Sequence, residues 1–149
     1  MIAALAAAAV CAATPVHAAP YPHVESGLSQ LKWVQAGPKR GRITGFLFGY
    51  DPRLVDAHAP AFSLWTNGTA PEGWATKVLW RVPLGRGDRE LVIRGRSLDD
   101  GGTFEQRSVR AGGGAGYPSI VTLPSAGCWR LEVRTGGVKA SFVVKAVAP

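Results

Sequence analysis

The chain has 149 residues, enough for one domain with a core of its own. Lys and Arg number 17 against 10 Asp and Glu, a net charge of +7, and twelve of those cations are arginine. With 2 cysteines and 3 histidines the composition excludes a disulfide-dense scaffold, and no C-x-x-C or H-x-x-x-H spacing exists to build a metal module.

The first segment, MIAALAAAAVCAATPVHAAP, is small and apolar with no charged side chain. It reads as the apolar region of a secretory signal peptide, and Val16-His17-Ala18 supplies the small-residue cleavage pattern. The expected organisation is a signal over residues 1–18 and one domain over 19–149, exported to the periplasm or the medium. Signals normally begin with Lys or Arg, which leaves the true translation start open. Thr14, Pro15 and His17 interrupt the run before a bilayer is spanned, so a membrane anchor is not expected. Cys11 is a poor lipid-attachment site, because Val10 stands where a small residue is wanted. Removing the signal leaves Cys128 alone, and the expectation is then no intrachain disulfide and a fold held by its core.

Beyond it come short apolar or alternating runs bounded by Gly, Pro, Asn and Asp, without sustained helical periodicity. Strands are expected near Ser29–Gln35, Ile43–Gly49, Phe62–Trp65, Lys77–Val82, Glu90–Arg96, Thr103–Val109, Ser119–Leu123, Cys128–Arg134 and Lys139–Val147. Turn signals separate them at Gly37-Pro38, Asp51-Pro52, Asn67-Gly68, Gly85 to Asp88, Asp100 to Gly102 and Gly136-Gly137. About seven to nine such strands predict an all-β, immunoglobulin-like sandwich of two sheets, with a small barrel as the alternative. The period of two puts Val78, Trp80 and Val82 on one face, and Trp129, Leu131 and Val133 on another. Trp80 and Trp129 are the expected core anchors, one from each sheet, joined by Leu131 and Phe142. Pro124 stops one strand, and Gly127-x-Trp129 begins the next after a crossing between sheets. The Trp129 indole N–H should meet a carbonyl of the preceding loop.

The elements Lys77-Val78-Leu79-Trp80, Gly95, Tyr117-Pro118-Ser119, Leu123-Pro124, Gly127-Cys128-Trp129-Arg130-Leu131 and the hairpin through Gly137 to Val144 carry a resemblance. In order and spacing, Lys77 to Val144 resembles a family of uncharacterised secreted bacterial proteins with an immunoglobulin-like sandwich. That resemblance implies a fold and an export route and brings no catalytic residues. The family's variable position before the tryptophan is cysteine here.

Chemistry is sparse. Cys128 lacks a nearby base in sequence, since His23 and His58 lie in Pro-rich segments. Those histidines with Asp51 and Asp56 lack ligand spacing, and Asp99-Asp100-Gly101-Gly102 reads as a hairpin turn rather than a calcium loop. Gly112 to Gly116 lacks the Lys-Ser/Thr and helix of a phosphate loop. Arg86-Gly87-Asp88 and Asn67-Gly68-Thr69 are explained as turns. No catalytic residue, metal site or cofactor is expected, and an exported chain without a nucleic-acid motif is not expected to bind nucleic acid.

Two features suggest ligands. Arg94, Arg96, Arg130 and Arg134 should share an outer sheet face with Lys139 and Lys145, suited to an anionic polymer of the cell envelope. Codon bias toward arginine is the competing explanation. Trp65 and Trp74 flank the turn SLWTNGTAPEGW and, if exposed, could stack on sugar rings as in carbohydrate-binding modules. The expectation is therefore a non-catalytic binding or structural module. A carbohydrate-binding module is the alternative, and a hydrolase with an unrecognised site the third reading.

Overall fold

A computed structural model describes residues 10–18, 31–55, 60–112 and 116–149. Nine strands form among them: β1 (Lys32–Ala36), β2 (Ile43–Phe48), β3 (Ser63–Trp65), β4 (Lys77–Arg81), β5 (Glu90–Ser97), β6 (Thr103–Val109), β7 (Gly116–Ser119), β8 (Gly127–Thr135) and β9 (Val138–Val147). They build a two-sheet sandwich with strand orders β1-β2-β4-β7 and β3-β9-β8-β5-β6. Every pairing is antiparallel except β3 with β9, which run parallel. The order β9-β8-β5-β6 reproduces the G-F-C-C′ sheet of an immunoglobulin-like domain, faced by β2-β4-β7 as A-B-E. β1 adds one edge strand.

Alternation in the strands explains which faces meet. Val78 and Trp80 in β4, Leu91 and Ile93 in β5, Trp129, Leu131 and Val133 in β8, and Phe142 and Val144 in β9 are all buried in one core. Trp80 and Phe142 meet across the sheets at 5.1 Å between ring centroids, and the Trp80 indole donates to Ser119 Oγ at 2.9 Å. Trp129 stands edge-on to Phe104 at 5.5 Å and donates its N–H to the Ser125 carbonyl at 2.9 Å. The ring of Phe104 lies where a side chain at position 95 would go. A Cβ on Gly95 would come within 2.0 Å of Phe104 Cε1, so any larger residue there forces the Phe104 ring to shift. Gly127 opens β8 at φ +124, and a Cβ would meet Asp99 Oδ2 at 2.2 Å. That carboxylate accepts the Cys128 N–H at 2.8 Å, which ties the β5–β6 turn to the start of β8.

The strand expected over Ser119–Leu123 is displaced. β7 is Gly116–Ser119, and the following residues form the crossing between sheets. Val121 and Leu123 are buried all the same. The polar groups of this segment are met by a side chain, because Gln106 Nε2–H donates to the Ile120 carbonyl and Gln106 Oε1 accepts the Thr122 N–H. An amide side chain thus takes the part of a neighbouring strand. The first expected strand is observed from Lys32, and Ser29 and Gln30 lie outside the described residues.

The expectation of an unpaired Cys128 is corrected. Cys128 is disulfide-bonded to Cys11, 117 residues away, with a Cα–Cα distance of 5.5 Å. Alternation turns Cys128 away from Trp129 and the core, and the chain over 10–17 passes that outer face. This segment then runs along the sandwich. Thr14 N–H donates to Val143 O at 2.8 Å, and Thr14 Oγ1 accepts the Val143 N–H at 2.8 Å. The Phe62 N–H donates to Thr14 O, and Val16 N–H donates to Pro60 O. His17 and Trp33 exchange both backbone hydrogen bonds and stack with centroids 4.2 Å apart. Residues 10–17 are a strap from the β8–β9 sheet to the β1 edge of the other.

Candidate functional site: a basic sheet face

The outward face of β5, β6, β8 and β9 is built from rows of side chains that the pairing register places side by side. Arg96 is flanked by Thr103 on β6 and Arg130 on β8, with Val143 beyond. The next row is Glu105, Arg94, Glu132 and Ser141, and the third is Arg107, Val92, Arg134 and Lys139. Glu90 and Lys145 stand at the two ends of this face. Cations therefore outnumber carboxylates on it.

Their partners divide the face. Arg94 Nε donates to Glu105 Oε2 at 2.9 Å, and Arg107 reaches both Glu90 Oε1 at 2.7 Å and Glu105 Oε1 at 3.0 Å. Hydrogen bonds from Arg94 and then Arg107 hold the Glu105 carboxyl below its ordinary range, and those that Arg107 donates to Glu90 and Glu105 raise its own pKa. These pairs are exposed, so each is worth little to stability, but they occupy Arg94. Arg96 and Arg130 have no ion pair or hydrogen bond from their side chains among the described residues, and both are exposed. Directly opposed residues on neighbouring strands hold their Cα atoms about 5 Å apart, where like charges repel. A shallow depression of about 510 Å³ runs between them, lined by Arg94, Gly95, Arg96, Thr103, Phe104, Glu105, Arg130 and Glu132. Arg134 is half-buried beside Val92 and Lys139. The structure thus brings all four expected arginines to one face, commits Arg94 to a carboxylate, and leaves a guanidinium pair open.

The tryptophan site separates. Trp65 is 9 % exposed, in a small second core with Leu54 and Ala70. Its indole N–H donates to Asp51 Oδ2 at 3.1 Å and Arg53 lies over its ring at 5.4 Å, so the ring has no open face for a sugar. This corrects the expectation that Trp65 stacks on a ligand. Trp74 is 60 % exposed on the β3–β4 loop and stands without that companion. Around Trp65 is a polar cluster of Asp51, Arg53 and Glu72. Asp51 caps the short turn Pro52–Leu54, accepts from Arg53 and Trp65, and is held well below the carboxylate range chiefly by the Arg53 hydrogen bonds. Arg53 also pairs with Glu72 at 2.7 Å. The Asp51-Pro52 signal identified a turn, but nothing local announced its tryptophan partner 14 residues away.

Arg86-Gly87-Asp88 is fixed to the end of the sandwich. The Tyr117 hydroxyl donates to the Asp88 carbonyl, and the Asp88 N–H donates to Thr135 Oγ1 at 2.9 Å. The Asp99 to Gly102 segment is the β5–β6 turn, closed by Ser97 N–H to Gly102 O at 2.7 Å. No group of three or more His, Cys, Asp or Glu suited to a metal occurs among the described residues. His23, Asp56, His58 and part of the glycine run at 112–116 lie outside them. Among the described residues no helix is long and apolar enough to cross a membrane.

The fold and the open face together define an immunoglobulin-like β-sandwich with a basic sheet surface. Comparison with known proteins found no matching family model, curated protein or solved structure.

Proposed function

We propose that this protein is a non-catalytic, exported binding module whose β5–β6–β8–β9 face holds an anionic polymer of the cell envelope. The observation that carries this reading is the opposed pair Arg96 and Arg130, exposed and without a carboxylate partner among the described residues. Two guanidinium forks side by side suit a phosphate, sulfate or carboxylate, which accepts hydrogen bonds from both and removes their repulsion. The Arg134 and Lys139 row lies four residues further along β8, about 13 Å away at 3.3 Å per residue. One small anion does not reach both rows, and a chain of repeating negative groups does. Glu132 and Glu105 between the rows disfavour a uniform sheet of charge and favour a ligand with spaced anions. Export is supported by the disulfide, a bond that persists in oxidising compartments.

The test is binding of soluble polyphosphate and polygalacturonate, with neutral dextran as control, by calorimetry at two ionic strengths. Binding of a polyanion that weakens with salt, and is lost by at least about tenfold in Arg96→Gln/Arg130→Gln, supports the proposal. Binding of dextran equal to that of the polyanions, or polyanion binding unaffected by the double substitution, refutes it.

A further inference from the structure

We infer that residues Cys11 to His17 belong to the mature protein, so that any proteolytic maturation cuts ahead of Cys11 and not after Ala18. The inference is independent of what the basic face binds.

The strap is joined to the sandwich at three separate places. At one end is the Cys11–Cys128 disulfide. In the middle, Thr14 uses its N–H, its C=O and its hydroxyl on Val143 and Phe62. At the other end His17 exchanges two backbone hydrogen bonds with Trp33. Side chains follow the same course: Val16 is buried in the main core, and the His17 ring stacks on Trp33. The residues that mimic a signal-peptidase motif are therefore core and edge positions of the fold.

Cutting after Ala18 would strand what they cover. Backbone groups of Val143, Phe62, Pro60 and Trp33 would lose their partners. β9 would then present an open strand edge beside the start of β3, a template for pairing with another chain. Cys128 would become an odd thiol on the outer face in a compartment that oxidises thiols. Keeping the strap closes the edge and uses the thiol in one step. A small-residue pattern of the kind a signal peptidase takes recurs at Ala7-Ala8-Ala9, ahead of the strap.

The full chain, with its own N-terminus and a C-terminal tag, is expressed in a bacterial host with an oxidising periplasm. Intact mass, N-terminal sequencing and a non-reducing peptide map are then read together. The expected result is an N-terminus at or before Cys11, a linked peptide containing Cys11 and Cys128, and no alkylation of the folded protein without reductant. An N-terminus after Cys11, or a Cys128 thiol that alkylates in the folded protein, overturns the inference. Amide hydrogen exchange on the same sample gives a second reading. Trp33, Phe62 and Val143 amides should be protected like the core strands, and exchange at the rate of exposed loops overturns it as well.

Discussion

Replacing both cysteines, Cys11→Ser with Cys128→Ser, removes the cross-link without leaving a stray thiol. The bond closes a loop of 117 residues, nearly the whole domain. The chain-entropy relation for a loop of that size gives about 5 kcal/mol, and measured disulfides more commonly deliver about 2–4 kcal/mol. For a domain of this length, about 1 kcal/mol moves the melting temperature by roughly 3 °C, so the variant should melt roughly 6–15 °C lower. The strap keeps its hydrogen bonds and the buried Val16 in this variant, so the native circular dichroism spectrum should be retained. The unfolded chain, freed of its cross-link, should be more extended, and the urea m-value should rise. Thermal and urea unfolding of wild type, wild type with reductant, and the double variant measure all of this. Midpoints that agree within about 2 °C, with equal m-values, would refute the reasoning that the bond constrains the whole chain.

Three further outcomes follow from the packing and the charges. Trp129→Ala empties the site between Phe104 and the Ser125 carbonyl and should cost roughly 3–5 kcal/mol, read by urea unfolding. Gly95→Ala drives a Cβ to 2.0 Å from the Phe104 ring and should cost roughly 1–3 kcal/mol; pairing it with Phe104→Leu should recover part of that loss, and strict additivity would count against the contact. The Asp51 carboxyl is depressed in the folded state from an ordinary value of 3.8, so its contribution to stability is present above about pH 4 and is lost as pH falls below it. Urea midpoints should therefore drop on acidification below pH 4, and Asp51→Asn should flatten that drop without abolishing it, since Glu72, Asp100 and Glu105 are depressed in the same sense.

The period of two made the sheet faces readable from the chain, because in β4, β5, β8 and β9 every second residue is buried and most of the rest are polar. It gave the arginine face for the same reason. Which arginines are free of carboxylates depends on cross-strand register, and only the pairing of Arg94 with Glu105 on β6 and of Arg96 with Arg130 on β8 separates them. Trp65 illustrates the opposite limit. A tryptophan beside an Asn-Gly turn has the composition of an exposed loop, yet Asp51 and Arg53 from another segment close over it. The strap was the hardest to read. An apolar, charge-free run ending in Val-His-Ala has the composition of an export signal. The partner that gives Cys11 and Val16 a structural place is 117 residues away for the one and on distant strands for the other.

The proposal that a polyanion is held on the β5–β6–β8–β9 face has a direct test. Backbone amide NMR shifts of the full chain, recorded with and without polyphosphate at low salt, address it most directly. Perturbations should concentrate at Arg96, Thr103, Arg130 and Arg134 and their neighbours on β5, β6 and β8, fading as salt is raised. Perturbations centred on the Trp74 loop, or none at all on these strands, would contradict it.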